Sequence, residues 1–336
     1  MATVAHAFSP KEWKVGIVSD ATTAGGSGIS VTQNQLDVDS IGFPSLNVTQ
    51  KLDVRSGLGR TFKDEDFFQD NIMRVVEISL SGTLHTDVGH ELLARNICND
   101  VSGDIAVVSG FAPASQLYGI AVTNTASSLT LVMQPSETTT QKGMVFAGCM
   151  VTAFSITADG STDGGQYKWS ATLQTGKKPD LNNAVNSATI SAYLNTNIPL
   201  LSGSSGHKVF NTDVILSSFT TAIESPAVFT GVASDGYQVA SRGAETSVTA
   251  EAQVKYDGNT KEFVHSFDVQ TGTTLATQIS SGNMFIITNN GNFGVDMQNG
   301  VFTNVALAEG DLMMLDCSIK SVDDGTDPLV TFDVTA

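Results

Sequence analysis

Apolar and polar residues alternate from Ile78 to Leu84, with Ile78, Leu80, Gly82 and Leu84 on one face and Ser79, Ser81 and Thr83 on the other. A period of two is the mark of a strand with one buried and one wetted face. The pattern recurs far downstream, where Val248, Ala250, Ala252 and Val254 alternate with Thr249, Glu251 and Gln253. A second likeness aligns Met150 with Met313, Phe154 with Cys317, Ile156 with Ile319, Tyr167 with Val330, Trp169 with Phe332 and Ala171 with Val334. In one copy the turn is Asp159 to Gly165, in the other Asp323 to Thr326, so both segments read as hairpins with Asp/Gly-rich turns. The spacing of the two likenesses differs, which requires an insertion in a loop between them. The chain therefore reads as two copies of one β-unit.

The rest of the chain falls around those units. Residues 1–30 read as an arm with one strand-like patch at Trp13, Val15, Ile17 and Val18, and strand character resumes over 34–54. A charged loop from Arg55 to Asn71 follows; loops of that length are usually functional or disordered. Thr86 or Asp87 caps a helix carrying Val88, Leu92, Leu93 and Ile97, with Glu91 in the first turn and Arg95 in the last to suit the helix dipole. In the second copy, Asp257, Gly258 and Asn259 either turn a hairpin or open a short helix. Further strands are expected at 117–123, 129–133, 284–288 and 293–297. The predicted organisation is an arm at 1–30, a first unit at 31–180, a linker at 181–210 and a second unit at 211–336.

Composition favours the β reading. The 336 residues are 41% hydrophobic, enough for sizeable cores, and contain 31 Gly with no long helical heptads. Cys98, Cys149 and Cys317 are odd in number and widely spaced, so they read as buried thiols rather than a disulfide framework. No basic, then apolar, leader opens the sequence and no apolar run reaches bilayer length, so cytosolic synthesis without membrane insertion is expected and the Asn47 glycosylation match carries little weight. A net charge of -17 argues against wrapping nucleic acid, because affinity for it rests on neutralising phosphates. An acidic wall around DNA would instead repel it and let it slide.

Chemistry-bearing patterns are incomplete. Asp159, Ser161, Asp163 and Gly164 begin a calcium loop, but the bidentate Glu it needs falls on Ser170. His90-Glu91 opens a metalloprotease helix motif whose second His falls on Ala94, so a helix surface is the reading. Gly176-Lys177 lacks the earlier glycine and the following Ser/Thr of a phosphate loop, and Gly57 to Arg60 reads as a loop tip rather than an anion cradle. His6, His85, His207 and His265 read as surface or turn residues. No catalytic residue, metal or cofactor is expected, and the chain reads as a non-enzyme.

The order of elements resembles bacteriophage tail tube proteins, also called major tail proteins. The likeness is carried by the strand at 46–54, the Arg55 to Asn71 loop, the Ile78 to Leu84 strand, the Asp87 to Cys98 helix and the Cys149 to Leu173 hairpin. It implies a mainly β fold of two tandem β-sandwich or half-barrel domains, each with a flanking short helix. It also implies a long loop contacting the next ring, here Arg55, Arg60, Lys63, Asp64, Glu65 and Asp66. Six-fold rings of such units imply homotrimers of a doubled chain, stacked into a filament in the virion tail after assembly in the host cytoplasm. Tape-measure and terminator or adaptor proteins would be its partners, and DNA would pass through without specific binding. Glu77 and Glu251 are the lumen-facing acidic candidates if the polar faces of their strands point inward. Two other readings stand beside this one: a baseplate, fibre or decoration module of a virion, and a carbohydrate-active β-sandwich enzyme, which would need paired carboxylates in a cleft.

Overall fold

A computed structural model of the chain describes residues 10–19, 33–44, 49–50, 67–68, 75–98, 117–119, 128–135, 143–183, 190–193, 198–201, 206–231, 236–237, 239–243, 245–265, 282–289, 293–310, 312–323 and 328–334. They are mainly β. The strands of the first half are β1 (Trp13–Ser19), β2 (Gln33–Leu36), β3 (Ser40–Gly42), β4 (Thr49–Gln50), β5 (Phe67–Phe68), β6 (Val76–Thr83), β7 (Leu117–Gly119), β8 (Leu129–Pro135), β9 (Gly143–Asp159), β10 (Lys168–Thr175), β11 (Asp180–Asn183) and β12 (Ile190–Ser191). Those of the second half are β13 (Lys208–Val209), β14 (Thr212–Asp213), β15 (Leu216–Glu224), β16 (Ala227–Thr230), β17 (Val239–Arg242), β18 (Ser247–Lys255), β19 (Phe285–Asn289), β20 (Phe293–Met297), β21 (Gly300–Ala308), β22 (Met314–Ser321) and β23 (Thr331–Val334). Helix α1 (Val88–Ile97) follows β6, and helix α2 (Lys261–His265) follows β18.

Eight antiparallel strands run side by side in the order β3-β6-β10-β9-β15-β18-β22-β21. This row is two blocks of four in the same order, β3-β6-β10-β9 and β15-β18-β22-β21. Each block carries a β-bulge at the same place. Thr152 is the extra residue of β9 opposite the Thr172/Leu173 step of β10, and Thr303 is the extra residue of β21 opposite the Ser318/Ile319 step of β22. Matching the bulges superposes Val151 on Phe302, Leu173 on Ile319 and Ser79 on Glu251.

The second layer repeats as well. In the first half, β2, β1, β8 and the first part of β9 form a ladder that ends on β11. In the second half β14, β13, β19, β20 and β23 stand in the same order. The difference lies at one point. β9 runs 17 residues through both layers, bending where Gly148 adopts a φ of 65°, whereas its counterpart is cut at Gln298 and Asn299 into β20 and β21. The hairpins β4–β5 and β16–β17 also fall at equivalent places, after β3 and after β15.

Three sequence expectations are corrected by this geometry. The segment from Met313 to Val334 is not a hairpin: β22 pairs with β18 and β21, while β23 pairs with β20 and β7. The counterpart of β9 is β21, not the strand that begins near Met313, because a period-two pattern looks alike in any strand and only the ladder reveals neighbours. The patch at Trp13 is an interior strand, with β2 on one side and β8 on the other. The first hairpin, Cys149 to Leu173, forms as read, as the antiparallel pair β9–β10.

The two layers close over one apolar interior shared by both halves. Tyr167, from the β9–β10 turn, sits with its ring 5.1 Å from Phe219 of β15 and 5.2 Å from Phe293 of β20. Phe154 of β9 meets Phe332 of β23 edge to face at 6.1 Å. Such aromatic pairs add about 1 kcal/mol each beyond the area they bury. Strand β7 of the first half also adds the outermost ladder to β23 of the second. Helix α1 covers the first half; its N-cap is Asp87, which accepts a bond from the Gly89 amide at 3.0 Å. Helix α2 is a single turn opened by Asp257, whose carboxylate accepts from the amides of Asn259 and Thr260, so the second of the two expectations for this segment holds.

Candidate functional site

The eight-stranded row offers one continuous polar face. Because each strand alternates, every second residue leaves the core: Glu77, Ser79 and Ser81 on β6; Lys168, Ser170, Thr172 and Gln174 on β10; Ser155, Thr157 and Asp159 on β9. The second block continues the face with Ser218, Thr220 and Glu224, then Thr249, Glu251, Gln253 and Lys255, then Asp316, Ser318 and Lys320. Glu77 and Glu251, singled out in the sequence, both lie on it and are exposed.

Short hydroxyls and amides knit the surface rather than long flexible chains. The Ser155 and Ser170 hydroxyls share a 2.8 Å bond across the β9–β10 ladder. Gln174 donates to the Glu77 carboxylate at 2.9 Å, and Gln253 donates to the Asp316 carboxylate at 2.9 Å. The Lys168 ammonium donates to the Thr83 hydroxyl at 2.9 Å and lies 3.7 and 3.8 Å from the carboxylates of Asp39 and Asp163. At the end of β9 the Ser161 hydroxyl and amide hold the Asp159 carboxyl below its usual range. The carboxylates of Glu77, Asp159, Glu224, Glu251 and Asp316 outnumber the ammoniums of Lys168, Lys255 and Lys320, so the face is net acidic.

The face is also hollowed. A depression of about 310 Å³ is floored by β15, β18 and β22 and lined by Ser218, Thr220, Glu251, Gln253, Asp316 and Ser318. Its walls hold acceptors and small donors without a nucleophile paired to a base. Among the described residues no group of three His, Cys, Asp or Glu is placed to hold a metal ion.

The loop residues Arg55, Arg60, Lys63, Asp64, Glu65 and Asp66 lie outside the described residues, as do Gly57 and Asn47. The polar positions on β15 were not read from the sequence, because Thr221 occupies a buried place between Phe219 and Ile223 and blurs the alternation. Asp159 and its neighbours form a hairpin turn in which Asp163, Gly164 and Gly165 all have positive φ. Gly176 lies at a strand exit, where an added Cβ would come within 2.8 Å of Tyr237.

The expectations for His85, His90 and His207 are corrected, while His6 and the side chain of His265 lie outside what the structure describes. His85 and His90 are buried, not at the surface. Their rings lie 5.9 Å apart, His85 bonds to Asp37 at 2.8 Å, and His90 faces Trp169 at 5.2 Å. Burial lowers the His90 pKa despite the Asp87 carboxylate beside it. Glu91 is buried too, and so is His207, whose pKa is pushed down to about 4 by burial. All three cysteines are buried as expected, and burial raises the Cys317 thiol to about 12.

No protein-family model and no curated protein sequence matches this chain. Among the described residues no helix is long and apolar enough to cross a membrane.

Proposed function

We propose that this chain is a structural conduit protein of a bacteriophage tail, forming trimeric rings that stack into the tail tube and pass DNA without binding it. The observation that carries this reading is the doubled four-stranded block. One chain supplies eight strands of a single row, acidic and hollowed on one face and packed on the other, and among the described residues the row does not close on itself. Three such chains make a ring of roughly 24 strands, and closing a row into a barrel removes its exposed edges.

Two further features support it. A wall of Ser, Thr and carboxylate groups lacks the cationic stripe that holds phosphates, which suits passage rather than retention of DNA. At one end of the row Ile215, Leu312 and Met313 are exposed by 66%, 73% and 47%. Ile215 and Met313 flank the same stretch, since their carbonyls accept from the Lys255 and Tyr256 amides. An apolar rim there suits end-to-end stacking of rings, a head-to-tail contact that propagates into a filament. Electron microscopy of the purified protein tests the proposal: hollow rods built of three-fold rings are expected. Discrete solid particles, or a monomer at all concentrations, would refute it.

A further inference from the structure

The junction between the two blocks is itself a template for how one copy meets the next. Inside the chain, β9 of the first block pairs antiparallel with β15 of the second: Ser218 faces Asp159, Phe219 faces Ala158, Thr220 faces Thr157 and Thr221 faces Ile156. The outer edges of the row are the counterparts of these two strands. β21 is the counterpart of β9, and among the described residues it pairs only with β22. β3 is the counterpart of β15, and among the described residues it pairs only with β6.

The bulges translate one register into the other. With Ala153 matching Asn304, Ile156 matches Leu307 and Thr157 matches Ala308. With Ser81 matching Gln253, their partners Ser40 and Ser218 match, so Gly42 matches Thr220 and Phe43 matches Thr221. We infer that a second copy of this chain docks its β3 edge against β21, antiparallel, with Ser40 facing Gly310, Ile41 facing Glu309, Gly42 facing Ala308 and Phe43 facing Leu307.

Two residues outside that derivation support it. Phe43 and Leu307 are large apolar side chains left 42% and 48% exposed in the single chain, one at each open edge, and the translated register sets them directly opposite each other. Their counterparts Thr221 and Ile156 face each other at the internal junction, on the core side of the row, and both are buried. Phe43 is held in place by an edge-to-face contact with Trp13 at 5.5 Å. Small residues, Gly42 and Ala308, meet on the polar side, so the wetted face runs on across the contact. The edge pairing stands on the repeat geometry; only its closure after three copies rests on the proposed tube.

Directly opposed residues of antiparallel strands have Cα atoms about 4.5–5.5 Å apart, within disulfide reach. Phe43→Cys combined with Leu307→Cys in one chain, under mild oxidation, is therefore expected to give covalent dimers and trimers with the ladder ending at three. The native thiols are buried and will not compete. Phe43→Cys with Ala308→Cys places the second thiol on the opposite face and is expected to cross-link at least tenfold less. Preferential cross-linking of that control overturns the register. Rods that form without either cross-link overturn the edge pairing and leave the tube reading standing, whereas cross-linked trimers that never stack support the pairing and count against the tube. Leu307→Glu, whose melting is expected to match the parent, should lower self-association at least tenfold; unchanged association would overturn the contact.

Discussion

Arg242 of β17 reaches across the molecule to Asn96 at the end of α1, where its guanidinium donates to both the backbone and side-chain oxygens. The same guanidinium donates to the carbonyls of Val151, beside the β9 bulge, and Ser225. Asn96 in turn accepts from the Val151 amide at 2.7 Å. One side chain of the second half thus donates to the Asn96 carbonyl at the end of a helix in the first. Burial lowers its pKa to about 10, well above neutrality, so it stays charged.

Replacing Arg242 with Met is expected to cost about 2–4 kcal/mol, because several buried acceptors lose a charged donor at once. Arg242→Lys is expected to recover less than half, since an ammonium cannot reproduce the planar fork. Urea unfolding midpoints of the two variants check both statements.

Gly82 lies where the backbone of Asp37 crosses β6. A Cβ there would sit 2.0 Å from the Asp37 carbonyl oxygen. That carbonyl also accepts from the Trp169 indole at 3.2 Å, so its retreat would lengthen that bond as well. Gly82→Ala is expected to destabilise by about 2 kcal/mol or more, whereas Gly258→Ala, with nothing within 4 Å of the new atom, should be near neutral. Thermal melts of the pair give the comparison.

His90 and His207 are expected to make stability depend on pH just below neutrality. Both have folded pKa values below the ordinary 6.5, so between the two limits the unfolded chain binds more protons than the folded one. Stability is therefore fully present above about pH 6.5 and falls as pH drops towards 4. His207→Asn and His90→Gln are each expected to flatten the slope of unfolding free energy against pH in that window. An unchanged slope in both would show that other groups set it.

The acidic face makes a separate prediction. Glu251 and Asp316 in the hollow and Glu224 elsewhere on the same face, changed together to Lys, reverse the local charge of that face without touching the core side. Rods of this variant are expected to form and to retain DNA, seen as slowed ejection and as DNA pulled down with rods at low salt but not at high salt. Assembled rods that behave as the parent would count against a DNA-facing role for this surface.

What the sequence disclosed and what it hid divide along physical lines. The strand at β6, the β9–β10 hairpin and the Asp87 cap were legible because alternation, turn residues and capping are local. A repeat of alternating strands was legible in outline, but the pairing of its members was not. The sequence spacing sets Trp169 against Phe332; the ladders set it against Leu315, since Leu173 and Ile319 share the bulge step. Short strands such as β13, β14 and β3 carry too few residues to show any period, and their places are set by neighbours far away in the chain. His85 and His90 looked like surface groups because nothing local announces that Trp169, Tyr193 and two aspartates converge on them.

Strand β7 completes a ladder that belongs to the opposite half, and Tyr167 packs between two strands that are likewise foreign to its own. Neither half could be expressed alone without baring what the other covers. Cutting the gene at its midpoint would therefore yield two insoluble fragments rather than two small proteins.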